Sequence, residues 1–133
     1  MSEITYGFVK TIEGQSFEQV KQKTVEALAA EGFGVLTEID ARATLKKKLD
    51  VDFRPYVILG ACNPALAYQA LQAEPQIGLL LPCNLVVQQQ DEGRQTVSVL
   101  SPRAIFGLVQ NPEAEQLATE VEQKLVRVLA AIE

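Results

Sequence analysis

The chain has 133 residues, 47% hydrophobic and 22% charged, with a net charge of −5. That length and mix suit one soluble globular domain with a sizeable core, and the acidic balance argues against a nucleic-acid module, which needs a basic face to neutralise phosphates. With no histidine, the chain holds no Ser-His-Asp or Cys-His mechanism and no zinc site that needs imidazole.

In chain order, Ile4 to Lys10 alternates, with Ile4, Tyr6 and Phe8 on one face, which predicts a half-buried strand turned at Gly14. Ser16 followed by Gln19 fits a capping box that opens a helix. Phe17, Val20, Thr24, Ala27 and Leu28 recur at helical spacing, and Gly32 is its expected stop. Phe33 to Ile39 predicts a second strand, with Phe33, Val35, Thr37 and Ile39 on one face. Asp40 to Leu49 predicts a short charged helix carrying Lys46, Lys47 and Lys48. The nearly continuous apolar run Tyr56 to Ala61 predicts a central strand covered on both faces.

Asn63-Pro64 supplies a favoured N-cap and first helical residue, so Ala65 to Ala73 reads as a short helix ended by Pro75 and Gly78. Leu85 to Gln90 and Thr96 to Leu100 read as a hairpin turning at Asp91-Glu92-Gly93. Asn111-Pro112 repeats the cap device, with Glu113 and Glu115 suiting the helix dipole. Leu117, Val121, Leu125, Val128, Leu129 and Ile132 then form one long apolar stripe. The order predicts an α+β domain, helices packed on one face of a mostly antiparallel sheet. Nothing marks a linker or a repeat, so residues 1–133 are read as a single domain.

No basic segment with a following apolar core marks a signal peptide. The longest uncharged apolar stretch, Tyr56 to Cys62, is too short to span a bilayer. The expectation is a cytoplasmic protein with reduced thiols and no membrane partner.

Both cysteines precede asparagine, in "GACNP" at 60–64 and "LPCN" at 81–84. Cys62 sits just before a predicted helix N-cap, where amides and the helix dipole favour a thiolate or a small anion. The alternative is plain packing, with Cys62 a small apolar group and Asn63 a cap. If the strands before Cys62 and after Cys83 are antiparallel neighbours, the two thiols share one end of the sheet. They then become candidates for a reversible disulfide or for a soft metal such as Cu(I). Pro82 marks a strand start or a bulge there, and Asn84 completes the second segment.

Glu38 and Asp40 are two apart and share a face, as an acid/base pair or as surface charges. Lys46, Lys47 and Lys48 read as a solvated helix face, unless one lysine turns to the sheet end to stabilise a thiolate. Arg54, Tyr56 and Arg103 complete the polar candidates.

"TEID" at 37–40, "ATLKKKL" at 43–49, "PYVILGACNPALAYQAL" at 55–71 and "GLLLPCNLVV" at 78–87 together resemble the family called domain of unknown function 302. The resemblance implies an α/β domain with helices on one side of an antiparallel sheet, related in topology to the TATA-binding-protein-like fold, and a homodimer. It does not imply DNA binding, which the acidic charge argues against, and it supplies no established activity and leaves any cofactor unknown. The family's recurrent residues fall on Glu38, Asp40, Lys47, Tyr56, Cys62, Asn63, Pro64, Leu81, Pro82 and Cys83. Two functions follow: a small-ligand, soft-metal or thiol-redox site around the two Cys-Asn segments, or a non-catalytic dimerisation module in which the cysteines pack the core. A conventional hydrolase or transferase has least support, with no histidine, no Gly-rich phosphate loop and no nucleophile elbow.

Overall fold

The alternating segments resolve into one six-stranded antiparallel sheet in a computed structural model that describes residues 1–133. The strands are β1 (Ser2–Ile4), β2 (Gly7–Glu13), β3 (Gly34–Asp40), β4 (Tyr56–Cys62), β5 (Cys83–Asp91) and β6 (Arg94–Leu100). Their spatial order is β1-β2-β6-β5-β4-β3. The helices are α1 (Phe17–Ala30), α2 (Ala41–Leu49), α3 (Pro64–Ala73), α4 (Pro102–Phe106) and α5 (Pro112–Ala131), with a 3-10 helix over Pro75–Leu80.

The caps follow from local chemistry. The N–H of Gln19 donates to Ser16 Oγ at 3.1 Å, and the N–H of Ser16 donates to Gln19 Oε1 at 2.9 Å, which satisfies two otherwise free amides of α1. Past its end, Gly32 takes φ +86, which a side chain would resist. Asn63, Ser101 and Asn111 each cap a helix whose first residue is proline.

One core lies between the sheet and the helices. Leu59, Leu85, Val87 and Val97 point from the strands toward Val20 and Leu28 of α1 and Leu125, Val128 and Leu129 of α5, all at most 1% exposed. Each such side chain contributes about 1.5–3 kcal/mol by leaving water. The stripe expected on the last helix is buried from Leu117 to Ile132. α5 has no basic residue in its last turn. Lys10 of β2 supplies the charge instead, donating to the carbonyls of Leu129 at 3.1 Å and Ala130 at 3.2 Å.

Three expectations are corrected. Residues 4–10 do not form one strand: Thr5 and Tyr6 are the turn between β1 and β2, and Ile4 and Tyr6 are exposed. Residues 33–39 do not keep one face. The register shifts between Val35 and Thr37, so Val35 stands opposite Ala61 while Thr37 stands opposite Gly60, and the two face opposite sides. The strand over residues 56–61 is interior but covered on one side only, and Tyr56 and Ile58 stay half-buried. The helix over residues 65–73 does stop before Pro75, as expected, and Pro75 and Gly78 lie within the 3-10 helix that follows.

The opposite face of the sheet carries one unbroken row across all six strands. Ser2 stands opposite Val9, Val9 opposite Ser98, Ser98 opposite Val86, Val86 opposite Ile58, and Ile58 opposite Ile39. No member of that row is charged, and α2 has no buried residue.

Candidate functional site

β4 and β5 are antiparallel neighbours, so the end of one meets the start of the other, and both cysteines lie at that end of the sheet. Ala61, not Cys62, stands directly opposite Cys83. Cys62 stands one residue further along and is opposite Gly34 on its other side. Both thiols are free; Cys62 is half-buried and Cys83 buried.

Close backbone approach shapes this corner. A Cβ on Gly60 would lie 2.2 Å from Thr37 Oγ1 and 2.8 Å from Pro82 Cγ, so only glycine lets the β3 bulge and the Leu81-Pro82 segment close in on β4. The Leu81-Pro82 peptide is cis. The chain leaves β4 into α3 through Asn63, whose Oδ1 accepts from the N–H of Leu66 at 3.3 Å.

Between this corner and the helices lies a half-open cavity of about 310 Å³. Its floor is Ala61, Cys62 and Cys83; α3 contributes Leu66, Ala67, Ala70 and Leu71; Phe106, Leu117 and Val121 close the far wall. Leu81 and Pro82 form one lip and Leu36, pushed outward at the bulge, another. None of the lining residues is charged, and Asn63 brings the only amide side chain. Burial pushes the Cys83 thiol up to about 11, with the nearby Cys62 adding to the effect. Cys83 is therefore a neutral thiol at physiological pH. No third His, Cys, Asp or Glu joins the thiols in a metal-holding group.

Of the other candidates, Pro64 and the Leu81-Pro82-Cys83 run gather at this corner, but the remaining polar residues lie elsewhere. Asn84, opposite Gly60, is exposed and borders a shallow groove with Tyr6 and Val86 rather than the cavity. Glu38 and Asp40 share a face, as their partners Leu59 and Val57 do. They sit toward the far end of β3. There Lys21 Nζ lies 2.6 Å from Glu38 Oε2, and that ion pair raises the Lys21 pKa. Asp40 caps α2 by accepting from the N–H of Ala43 at 2.9 Å. Glu38, Asp40 and Tyr56 line a polar depression of about 290 Å³ with Lys21 and Arg42.

Lys47 and Lys48 are exposed on α2, and Lys46 pairs with Asp50 at 2.9 Å. No lysine lines the cavity beside the thiols. Arg54 donates to Gln88 Oε1 at 2.9 Å and lies over the rings of Phe53 and Tyr56. Arg103 sits 4.0 Å from Glu122. The walls supplied by Phe33, Phe106, Leu117 and Val121 had no mark in the sequence beyond ordinary core periodicity.

The family model described as "Domain of unknown function DUF302" matches residues 8–132. The chain belongs to the DUF302 family. A crystal structure of an uncharacterised DUF302 protein from Bacillus stearothermophilus matches with a TM-score of 0.84 and 30% identity, over 95% of this chain and 98% of that one. No curated protein matches. This chain is thus an α+β domain with a six-stranded antiparallel sheet, matched over nearly its whole length by that neighbour, and no helix here is long and apolar enough to cross a membrane.

Proposed function

We propose that this DUF302 chain is a small-molecule-binding domain whose site is the cavity at the cysteine end of the sheet. The observation that carries it is convergence. Two Cys-Asn segments 21 residues apart in sequence meet at one concave corner of about 310 Å³, within the size range of ligand pockets. The test is a two-dimensional NMR screen of the folded protein with small fragments that are cationic, anionic and neutral. Binders should shift the amides of Leu66, Ala70 and Leu117. Shifts confined to the open sheet face or to the Glu38 depression would sink the proposal.

A second reading, dimerisation through the open sheet face with a second copy of the chain, rests on the uncharged row from Val9 to Ile39. Two chains of net charge −5 repel wherever charged faces meet, and this row brings no like charges to the contact. Sedimentation of wild type against Ile58→Lys tests it: the wild type should be a dimer and the variant a folded monomer. A monomeric wild type at high micromolar concentration would refute it.

A further inference from the structure

We propose that the cavity takes an uncharged, mainly hydrocarbon ligand with one hydrogen-bonding end, and not a small anion or a soft metal ion. This rests on the cavity's being a ligand site and names the chemistry of its occupant.

The lining decides the class. An anion entering the cavity would leave water and meet no lysine or arginine. Burying an unpaired charge is strongly unfavourable, and the chain's net charge of −5 adds a long-range term of the same sign. The cap of α3 offers little relief, since Asn63 Oδ1 already accepts from the N–H of Leu66.

A soft metal would meet two thiols, one of them buried, and no third ligand among His, Cys, Asp or Glu. A hydrocarbon body faces no such cost. It would cover Leu66, Ala70, Phe106 and Leu117, and shield Leu36 at the lip and Leu71 of α3, which are otherwise 66% and 43% exposed. The volume of about 310 Å³ lies at the small end of the ligand-pocket range, which suits a short hydrocarbon chain. Asn63 is the side chain suited to hold its polar end.

The test uses 1-octanol and octanoate, which share a chain and differ in charge. Protein NMR shifts are followed for each, together with the iodoacetamide reaction of the half-buried Cys62 in the wild-type protein. Octanol should shift Leu66, Ala70 and Leu117. At ten times its Kd it should slow Cys62 alkylation on the order of tenfold, because occupied protein does not react. Octanoate should bind at least about tenfold more weakly, for want of a cation. Ala70→Phe, which fills the cavity, should abolish the octanol effect; if that variant fails to fold, protection of Cys62 in the wild type decides alone.

Octanoate binding as tightly as octanol would overturn the ligand class and leave the site standing. So would phosphate or a Cu(I) chelate that shifts the cavity amides while octanol does not. If none of these probes touches the cavity amides, the site falls together with the class.

Discussion

Cys83 stands across the strand pair from Ala61, one residue short of Cys62. The offset places both thiols on one cavity yet gives them different surroundings. Cys62 is half-buried at the strand end, whereas Cys83 is 6% exposed. In the native reduced protein, iodoacetamide should therefore label Cys62 first. Cys83 should resist until the protein unfolds, since access and thiolate fraction both limit reaction. Peptide mass spectrometry after timed quenching separates the two; equal native rates would show that the corner opens freely.

The pH dependence of stability follows from the same burial. The folded protein holds the Cys83 thiol protonated up to about 11, above the ordinary value of 9.0. Below pH 9 both folded and unfolded chains keep the proton and the group costs nothing. Between those two values the unfolded chain releases it first, so stability falls as pH rises, levelling off above about 11. The full loss is about 3 kcal/mol. Urea midpoints from pH 8 to 11 for wild type and Cys83→Ala isolate it, because tyrosines and lysines titrate alike in both. The difference between the two curves should shrink with rising pH.

Gly60 is a structural requirement of the corner. Adding one methyl would drive Cβ to 2.2 Å from Thr37 Oγ1 and 2.8 Å from the Pro82 ring. Gly60→Ala should cost about 1–3 kcal/mol, the range for overpacking. Thr37→Ala in the same chain should restore part of that, since the hydroxyl is the nearer clash and Pro82 remains. A double-mutant cycle by chemical denaturation reads the coupling; strict additivity would mean that β3 and β4 part without strain.

What the sequence disclosed was local. The capping box at Ser16, the Asn-Pro starts at Asn63 and Asn111, and the stripe from Leu117 to Ile132 each depend on residues within a few positions, so their spacing carries the signal. The meeting of the Cys62 and Cys83 segments was accessible too, because an antiparallel pair brings one strand's end to the other's start. The bulge at Val35/Thr37 was hidden, since one extra residue reverses the facing of all that follow and no local pattern announces it. It turns Leu36 outward to the cavity lip and sends Thr37 toward Gly60. The far wall was hidden for a different reason: Phe106, Leu117 and Val121 have the periodicity of core residues, and only three-dimensional packing separates a cavity wall from a filled core. The charged candidates Glu38, Asp40 and Lys47 attracted notice by residue type, yet they lie away from the cavity, and the charge runs give no indication of it.

The helix caps differ in what they hold. Asn63 satisfies one amide, that of Leu66. Asn111 accepts from the N–H groups of Glu113 at 3.0 Å and Ala114 at 3.2 Å, and its Nδ2 donates to the carbonyl of Ala73 at 3.1 Å, tying the start of α5 to the end of α3. Asn63→Ala should cost about 1 kcal/mol, the usual cap value. Asn111→Ala should cost more, about 2 kcal/mol, because it also removes a hydrogen bond between two helices. Thermal and urea unfolding of both variants check the order, and a reversed order would mean that the Ala73 link contributes nothing.

The C-terminal end of α5 depends on a residue 119 positions away. Lys10 Nζ reaches the carbonyls of Leu129 and Ala130, where the negative end of the helix dipole lies and where α5 has no cation of its own. Lys10→Met keeps most of the aliphatic stem and deletes the donor, so its effect isolates the charge. The expected cost is about 1 kcal/mol, reduced by solvent screening at this partly buried site. The loss should be local as well as global. Hydrogen exchange in the last turn of α5 should accelerate more than in β4 or β5, because the terminal carbonyls lose their charged partner while the sheet keeps its ladders. An unchanged exchange pattern with unchanged stability would show that water replaces the ammonium without loss, and that β2 holds α5 by apolar packing alone.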